Sequence, residues 1–284
     1  MIKTHYDPAT LSEFKFEFVA SEIIHGLEEA KYRKADGLNQ STLKKVLAVS
    51  PFHADYMLKN PEQTPAMALG SALHTFVLEP SKFDSEYAVA PECDRRTTEG
   101  KHIWNLFTSE IGERKPIKAA DYEDMLGMKA SVGNLFDSPH GKKYVESAFF
   151  SEILVTEGEF KGKRVRLKGK LDCFHEREDS VTIKDLKTVA DISNINSASY
   201  HSNWAIQSGM YKDALEFALK KPAAFVYVCV SKEKPFDCRV AKCTAEMLAK
   251  GTLEYTKAIH MWLNWEAMGK PNTAKFLGIQ ELNG

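Results

Sequence analysis

In Ser180-Val-Thr-Ile-Lys-Asp-Leu-Lys-Thr188 an acid and an amine, Asp185 and Lys187, stand two residues apart. Val181 to Leu186 alternates apolar and polar residues, broken only by the polar pair Lys184-Asp185, and this predicts a β-strand. On a strand, residues i and i+2 point to one face. Asp185 and Lys187 therefore share a face, and Leu186 turns away into packing. A second acid, Asp172, stands thirteen residues upstream, near the end of another strand-like run, Val165 to Phe174. The charged turn Glu176-Arg177-Glu178-Asp179 joins the two runs. A hairpin there brings both aspartates and the lysine onto one sheet.

The neighbouring segments extend this sheet. Phe149 to Val155 predicts a strand before the hairpin. Ala223 to Val230 is a nearly continuous apolar run, as expected of a strand buried on both faces. Asp237 to Cys243 pairs beside it. Helices are expected over 197–219 and from Ala245 to Met268. Before residue 149 the pattern is helical. One helix is expected over 11–33. A short one follows, capped by Asn39 or Ser41 and running to Leu47, and another starts at Ser50-Pro51 and runs to Leu58. Met67 to Leu78 is an apolar helix stopped at Glu79-Pro80. Residues 81–96 read as loop with a short strand at Tyr87-Ala-Val-Ala90, and two more helices fall near 97–111 and 119–136. The expected fold is α/β in a single domain, residues 1–284. A mainly helical N-terminal part (1–148) docks on a central mixed β-sheet (149–284) flanked by helices.

The chain of 284 residues is 43% hydrophobic, enough for a substantial core, and carries no apolar run of the roughly 20 residues a membrane span needs. Met1-Ile-Lys-Thr-His-Tyr-Asp-Pro8 lacks the plan of a secretory leader, so a cytoplasmic location is expected. The five cysteines are scattered and form no C-x-x-C, which predicts reduced thiols and no iron–sulfur cluster. A net charge of −1 gives no overall basic signature, yet residues 161–170, Lys-Gly-Lys-Arg-Val-Arg-Leu-Lys-Gly-Lys, carry six basic side chains and no acid. Such a run is usually a solvated face. Here it leads into Asp172, and Lys163, Arg164, Arg166 and Lys168 are candidate contacts for a polyanion.

Asp172, Asp185 and Lys187 form the kind of set that holds a divalent cation for phosphodiester cleavage. Three further features bear on it. Gly70-Ser-Ala-Leu-His74 lies on the apolar helix, where a histidine is as a rule a hydrogen-bonded core residue. Gln207-Ser-Gly-Met-Tyr211 places Gln207 and Tyr211 on one helical face; an ordinary helix with one buried tyrosine reads the same way. Glu152, in the strand before Asp172, is either a site acid or a surface one. No G-x-x-x-x-G-K-[ST] occurs, so no nucleotide-driven motor is expected.

Together these residues resemble the RecB-like branch of the PD-(D/E)XK nuclease fold, in which a G-x-x-x-H histidine, a strand aspartate, an Asp-x-Lys and a Q-x-x-x-Y helix recur. The chain is similar over most of its length to the RecE-type phage recombination exonucleases (the nuclease part of exonuclease VIII). The marks are Gly37-Leu-Asn-Gln-Ser-Thr-Leu43, Leu69-Gly-Ser-Ala-Leu-His74, Val77-Leu-Glu-Pro80, Val89-Ala-Pro-Glu92 with Arg95-Arg96-Thr97 and Gly100-Lys101, and Lys184-Asp-Leu-Lys-Thr188. Leu186 stands where a β-branched residue is common, and the basic 161–170 run departs from the pattern.

The resemblance implies that His74, Asp172, Asp185 and the backbone carbonyl of Leu186 bind Mg²⁺, with Mn²⁺ able to substitute. It implies that Lys187 acts on the attacking water or the developing charge, that Glu152 holds a second ion or its water, and that Gln207 and Tyr211 position the substrate strand or the lysine. Arg95 and Arg96 would bind backbone phosphates or a DNA end. It further implies degradation of linear duplex DNA from 5′ to 3′ in a phage-infected or lysogenic bacterial cytoplasm. A toroidal tetramer would carry this out, and the 3′ overhang would pass to a RecT-like single-strand annealing protein. The alternatives are another RecB-like nuclease of the cysteine-cluster kind, and a DNA-end-binding protein that has lost cleavage.

Overall fold

Long β-alternation on both sides of a hairpin builds one six-stranded sheet. The computed structural model describes residues 13–62, 64–138 and 140–272. Met1 to Pro8, where no leader is expected, lies outside the described residues. The strands are β1 (Lys15–His25), β2 (Tyr87–Ala90), β3 (Lys115–Lys118), β4 (Lys142–Glu157), β5 (Arg164–Glu176), β6 (Val181–Val189), β7 (Ala223–Ser231) and β8 (Cys238–Lys242). The helices are α1 (Glu29–Lys34), α2 (Gln40–Ala48), α3 (Pro51–Lys59), α4 (Pro65–Leu78), α5 (Pro80–Glu86), α6 (Thr98–Ile111), α7 (Ala119–Val132), α8 (Ile195–His201), α9 (Trp204–Leu219) and α10 (Ala245–Ala267). The main sheet has the order β1-β4-β5-β6-β7-β8, and only the β6–β7 neighbours run parallel. That parallel step needs a crossover, which α8 and α9 supply. The fold is the expected mixed α/β sheet flanked by helices.

Several elements differ from the sequence expectation. Residues 11–33 are not one helix. Lys15–His25 is an edge strand antiparallel to β4, and only Glu29–Lys34 is helical. Phe16 and Phe18 alternate with polar neighbours, and the long β4 offers them a partner and a core to pack on. The sheet also starts earlier than Phe149, at Lys142. Pro80–Glu86 is a helix rather than loop, with proline in its first turn. The 197–219 segment is split between α8 and α9, where Asn203 takes a left-handed conformation. β2 and β3 pair in a small parallel sheet of their own. Asn39, Ser50 and Thr64 cap α2, α3 and α4 through side-chain oxygens.

The sheet is packed on both faces. On β7, Phe225, Tyr227 and Cys229 join a core shared with α2, α9 and α10, whereas Val228 and Val230 join one shared with α4 and α7. α9 and α10 touch backbone to backbone at Gly209 and Gly251: a Cβ on Gly251 would stand 1.9 Å from the Ala205 carbonyl oxygen. Alternation slips once along β5. Leu167, Leu171 and Phe174 pack on the α9 side, and Cys173 on the α4 side. The slip falls at Asp172. β4 slips at the facing position, Glu146, whose φ is +46°, so that Tyr144 and Phe149 pack on one face and Val145 on the other.

No helix among the described residues is long and apolar enough to cross a membrane, and the five cysteines are free.

His175, on β5 beyond the slip, is fully buried, and neither ring nitrogen has a hydrogen-bond partner among the described residues. Burial, reinforced by Lys184, Lys143 and Arg177, depresses its pKa to about 4. The imidazole is thus neutral in the fold, while the unfolded chain takes up its proton below about pH 6.5. Between those values the unfolded state binds more protons, so folding stability falls as pH is lowered from 6.5 towards 4, by up to about 3 kcal/mol. Urea unfolding of the wild type and of His175→Leu at pH 7.5 and pH 5 should show a smaller loss in the variant. Equal losses in the two proteins would contradict the assignment.

Candidate active site

β5 and β6 pair antiparallel only as far as Cys173 and Lys184, then separate. In the opening, the Leu186 N–H no longer has a strand partner and donates instead to Asp172 Oδ2 at 2.7 Å. A residue's N–H and C=O in a strand face the same neighbour, so the Leu186 carbonyl opens to the same gap. His74, from α4, approaches the same carboxylate: its Nε2 is 3.0 Å from Asp172 Oδ2. Its Nδ1–H donates to the Gly70 carbonyl at 2.7 Å, which orients the ring and aims Nε2 into the site. Burial opposes charging of this imidazole, but the Asp172 carboxylate prevails and lifts its pKa to about 9. Burial would likewise raise Asp172, yet His74, Lys187 and the Leu186 N–H hold its carboxyl below the usual range.

Asp185 is buried on the side facing α9. Its Oδ1 accepts from Gln207 Nε2 at 2.5 Å, and its Oδ2 is ion-paired with Lys187 but accepts no well-formed hydrogen bond. Burial raises its pKa, with Lys187 opposing and Asp172 adding to the rise. For Lys187 the balance is reversed, and the two aspartates keep its ammonium charged against burial. That ammonium lies 5.7 Å from the Tyr227 ring centre on β7, whose hydroxyl is tied to the Trp204 carbonyl at 2.8 Å. Tyr211 stands at the edge of this group: burial, with the Tyr32, Asp185 and Asp172 charges adding, holds the pKa of its hydroxyl well above the usual range. It lies edge-on to Phe149 at 5.0 Å and covers Gly169, where a Cβ would stand 2.7 Å from the Tyr211 ring. It thus pins β5 just ahead of Asp172.

Two site residues escaped the sequence. Glu146 stands opposite Asp172 in the β4–β5 ladder, largely buried, and pairs with Lys170 at 3.0 Å. Burial and the Asp172 charge raise its pKa to about 7. Lys44, on α2, is brought near Lys187 and Asp185. Burial and the Lys187 charge lower its pKa to about 7. The irregular alternation around Val145-Glu146-Ser147 is the one local sign of the first. Nothing local marks the second.

Other expected residues lie elsewhere. Glu152 is six positions further along β4, about 20 Å from Glu146; it pairs with Arg164 and faces Arg166 in the ladder, so it is not an acid of this site. Lys168 is not a free surface cation: it is 6% exposed and donates to the carbonyls of Tyr32, Arg33 and Ala35 at 3.1, 3.4 and 2.6 Å. Arg166 reaches Asp36 at 3.4 Å, and Lys163 is exposed in the β4–β5 turn. Arg96 is held by both oxygens of Asp94 at 3.0 Å, and Arg95 lies over the Trp104 ring at 4.4 Å, both in or beside the loop leading to α6.

Among the described residues, no three His, Cys, Asp or Glu side chains close around one point. Magnesium does not need such a cage; it is commonly held by one or two carboxylates, with water and substrate phosphate completing the shell. Asp172, Asp185 and the Leu186 carbonyl offer that oxygen set. The buried Asp185 Oδ2, satisfied by charge alone, fits a hard cation.

Residues 40–273 match the family described as PDDEXK-like domain of unknown function (DUF3799). The structure is similar to the crystal structure of a protein from Eubacterium rectale provisionally described as an exonuclease. The TM-score is 0.56 at 15% identity, with 92% of this chain and 96% of that one covered. This likeness is one of fold. No curated protein matches the sequence. The chain belongs to the PDDEXK-like family, within the PD-(D/E)XK nuclease superfamily.

Proposed function

We propose that the protein is a divalent-metal-dependent, ATP-independent exonuclease acting on linear double-stranded DNA. The observation that carries this reading is the cluster of His74, Asp172, Asp185 and Lys187 around the Leu186 backbone. Asp172, Asp185 and the Leu186 carbonyl would hold Mg²⁺ or Mn²⁺, with His74 beside them. Such an ion supplies an activated water and neutralises charge on the scissile phosphate. Lys187 would orient the attacking water and meet the developing negative charge, and burial would strengthen both effects. Gln207 keeps Asp185 in position. Lys44 adds a second amine facing the phosphate, and His74 is held by Gly70 with Nε2 directed inward.

The resemblance to RecE-type enzymes supports a finer reading. Resection would run 5′ to 3′ and leave a 3′ overhang for a RecT-like annealing protein. The working form would be a ring-shaped tetramer in a bacterial cytoplasm, encoded by a phage or prophage. Arg95 and Arg96 would contact the DNA end.

Nucleotide release from linear duplex labelled at either end, set against circular duplex, tests the activity and its direction. Release of the 5′ label first, with circles spared, is expected. Intact linear DNA in Mg²⁺, with binding retained, would favour an end-binding protein instead. Asp185→Asn should abolish release without lowering the thermal midpoint, and Lys187→Met should lower the rate roughly 100-fold or more. Glu152→Gln should leave it unchanged. A loss in the Glu152 variant to match that of Asp185→Asn would return Glu152 to the site. In Ca²⁺ binding should persist with little cleavage, since Ca²⁺ is larger and looser in geometry; brisk digestion in Ca²⁺ would count against a Mg²⁺-type centre.

A further inference from the structure

Between β1 and α2 the chain crosses the sheet as a strap, residues 26–37, with α1 at its middle. It lies over one face of β5. Arg164, Arg166, Lys168 and Lys170 alternate along that face and lead to Asp172. Successive cations of this row are roughly 7 Å apart, the scale on which phosphates repeat along an extended strand. The strap meets three of these cations with oxygens, while Arg164 pairs with Glu152 of β4. The Lys170 ammonium is 2.9 Å from Glu29, Arg166 is 3.4 Å from Asp36, and Lys168 donates to three carbonyls, those of Tyr32, Arg33 and Ala35. These are the partners that the non-bridging oxygens of a nucleic-acid backbone would replace.

The strap's apolar hold rests on one ring, Tyr32, which lies 6.2 Å from the Phe150 ring and 5.0 Å from the Lys168 ammonium. α1 buries none of its residues and has no side-chain N-cap. Gly26 (φ +65°) and Gly37 (φ +134°) sit at its two ends, in conformations open to glycine and strained for other residues. A segment with little buried apolar surface opens at low cost. Its far end is pinned, because Leu38 exchanges backbone hydrogen bonds with the strand, to the Arg166 carbonyl at 2.9 Å and from the Lys168 N–H at 3.0 Å. The strap can therefore swing without leaving. Lys170 keeps Glu146 as its second partner, at 3.0 Å, and stays beside Asp172.

We infer that the β5 row is a seat for one sugar–phosphate backbone of the substrate, and that strap 26–37 occupies it as an internal stand-in which the arriving strand displaces. This rests on the nuclease reading above, which supplies the polyanion.

The test uses the full chain, a fluorescein-labelled linear duplex with a single-stranded tail, and Ca²⁺ to hold cleavage back. Amide hydrogen exchange over residues 26–37 should speed up when DNA binds. Glu29→Gln with Asp36→Asn should bind roughly three- to tenfold tighter by anisotropy. Arg164→Gln with Arg166→Gln should bind more weakly, and its slope of log affinity against log salt should be shallower by about one to two. Bound DNA that leaves exchange in 26–37 unchanged or slower, with no gain in the Glu29/Asp36 variant, overturns this inference and leaves the nuclease reading standing. Failure of every variant and the wild type to bind DNA brings down both.

Discussion

The parting of β5 from β6 is the constraint on which the site depends. A strand that loses its partner leaves backbone groups unpaired, and buried ones are costly. The Leu186 N–H is rescued by a carboxylate rather than by another strand. That carboxylate, being shielded, must itself be balanced, and His74 and Lys187 stand near enough to do so. One break in a ladder thus forces an acid, an imidazole and an amine into a single neighbourhood. The charges are matched inward: Asp172 with His74, Asp185 with Lys187, Glu146 with Lys170. A divalent cation held here would share these oxygens with the protein cations already in contact with them. Removing one partner of a buried pair costs more than the pair contributes, so loss of any one partner would leave its carboxylate buried and uncompensated.

The helices serve the same end from the other side. α9 fills the crossover between β6 and β7, and its first turns bury nearly every side chain from Trp204 to Tyr211. Its close contact with α10 at Gly209 and Gly251 leaves it little freedom to slide. Gln207 is consequently a rigid donor to Asp185, and Tyr227, fixed through the Trp204 carbonyl, is a rigid floor beneath Lys187. Preorganisation of this sort is what makes a buried ammonium useful to a developing charge.

How much of this could be read in the sequence follows from what each signal measures. Asp172, Asp185 and Lys187 were legible because period-two alternation and a short turn fix strand neighbours locally. β1 was not: Lys15-Phe-Glu-Phe18 is a fair strand, but residues up to 33 also admit a helix with mixed faces, and only pairing with the distant β4 decides between them. The basic run from 161 to 170 offers candidate contacts for a polyanion but does not say which of them the chain itself will engage. The pleat sends Arg164, Arg166, Lys168 and Lys170 to a single face, and there the chain itself covers Lys168 with the carbonyls of Tyr32, Arg33 and Ala35. Lys44 enters through the docking of α2, which no local pattern encodes.

Glu152 and Glu146 make the sharpest comparison, since both lie on β4 and both alternate onto the face of an acid. The sequence favoured the one inside the expected strand Phe149 to Val155. The structure brings the other to Asp172, because the pattern fails there. If β5 alone slipped by one residue at Asp172, every side chain beyond it would face the wrong way relative to β4. The matching slip at Glu146 restores the phase, so that Val145 and Cys173 again share a face, and the whole correction is absorbed by one residue with φ +46°. Glycine would meet that backbone demand without strain. Glutamate meets it at some cost and places a carboxylate on Lys170 in return. Strain retained beside the reacting groups, where a less demanding residue was open to the fold, is the mark of a position held by its side chain rather than by its backbone.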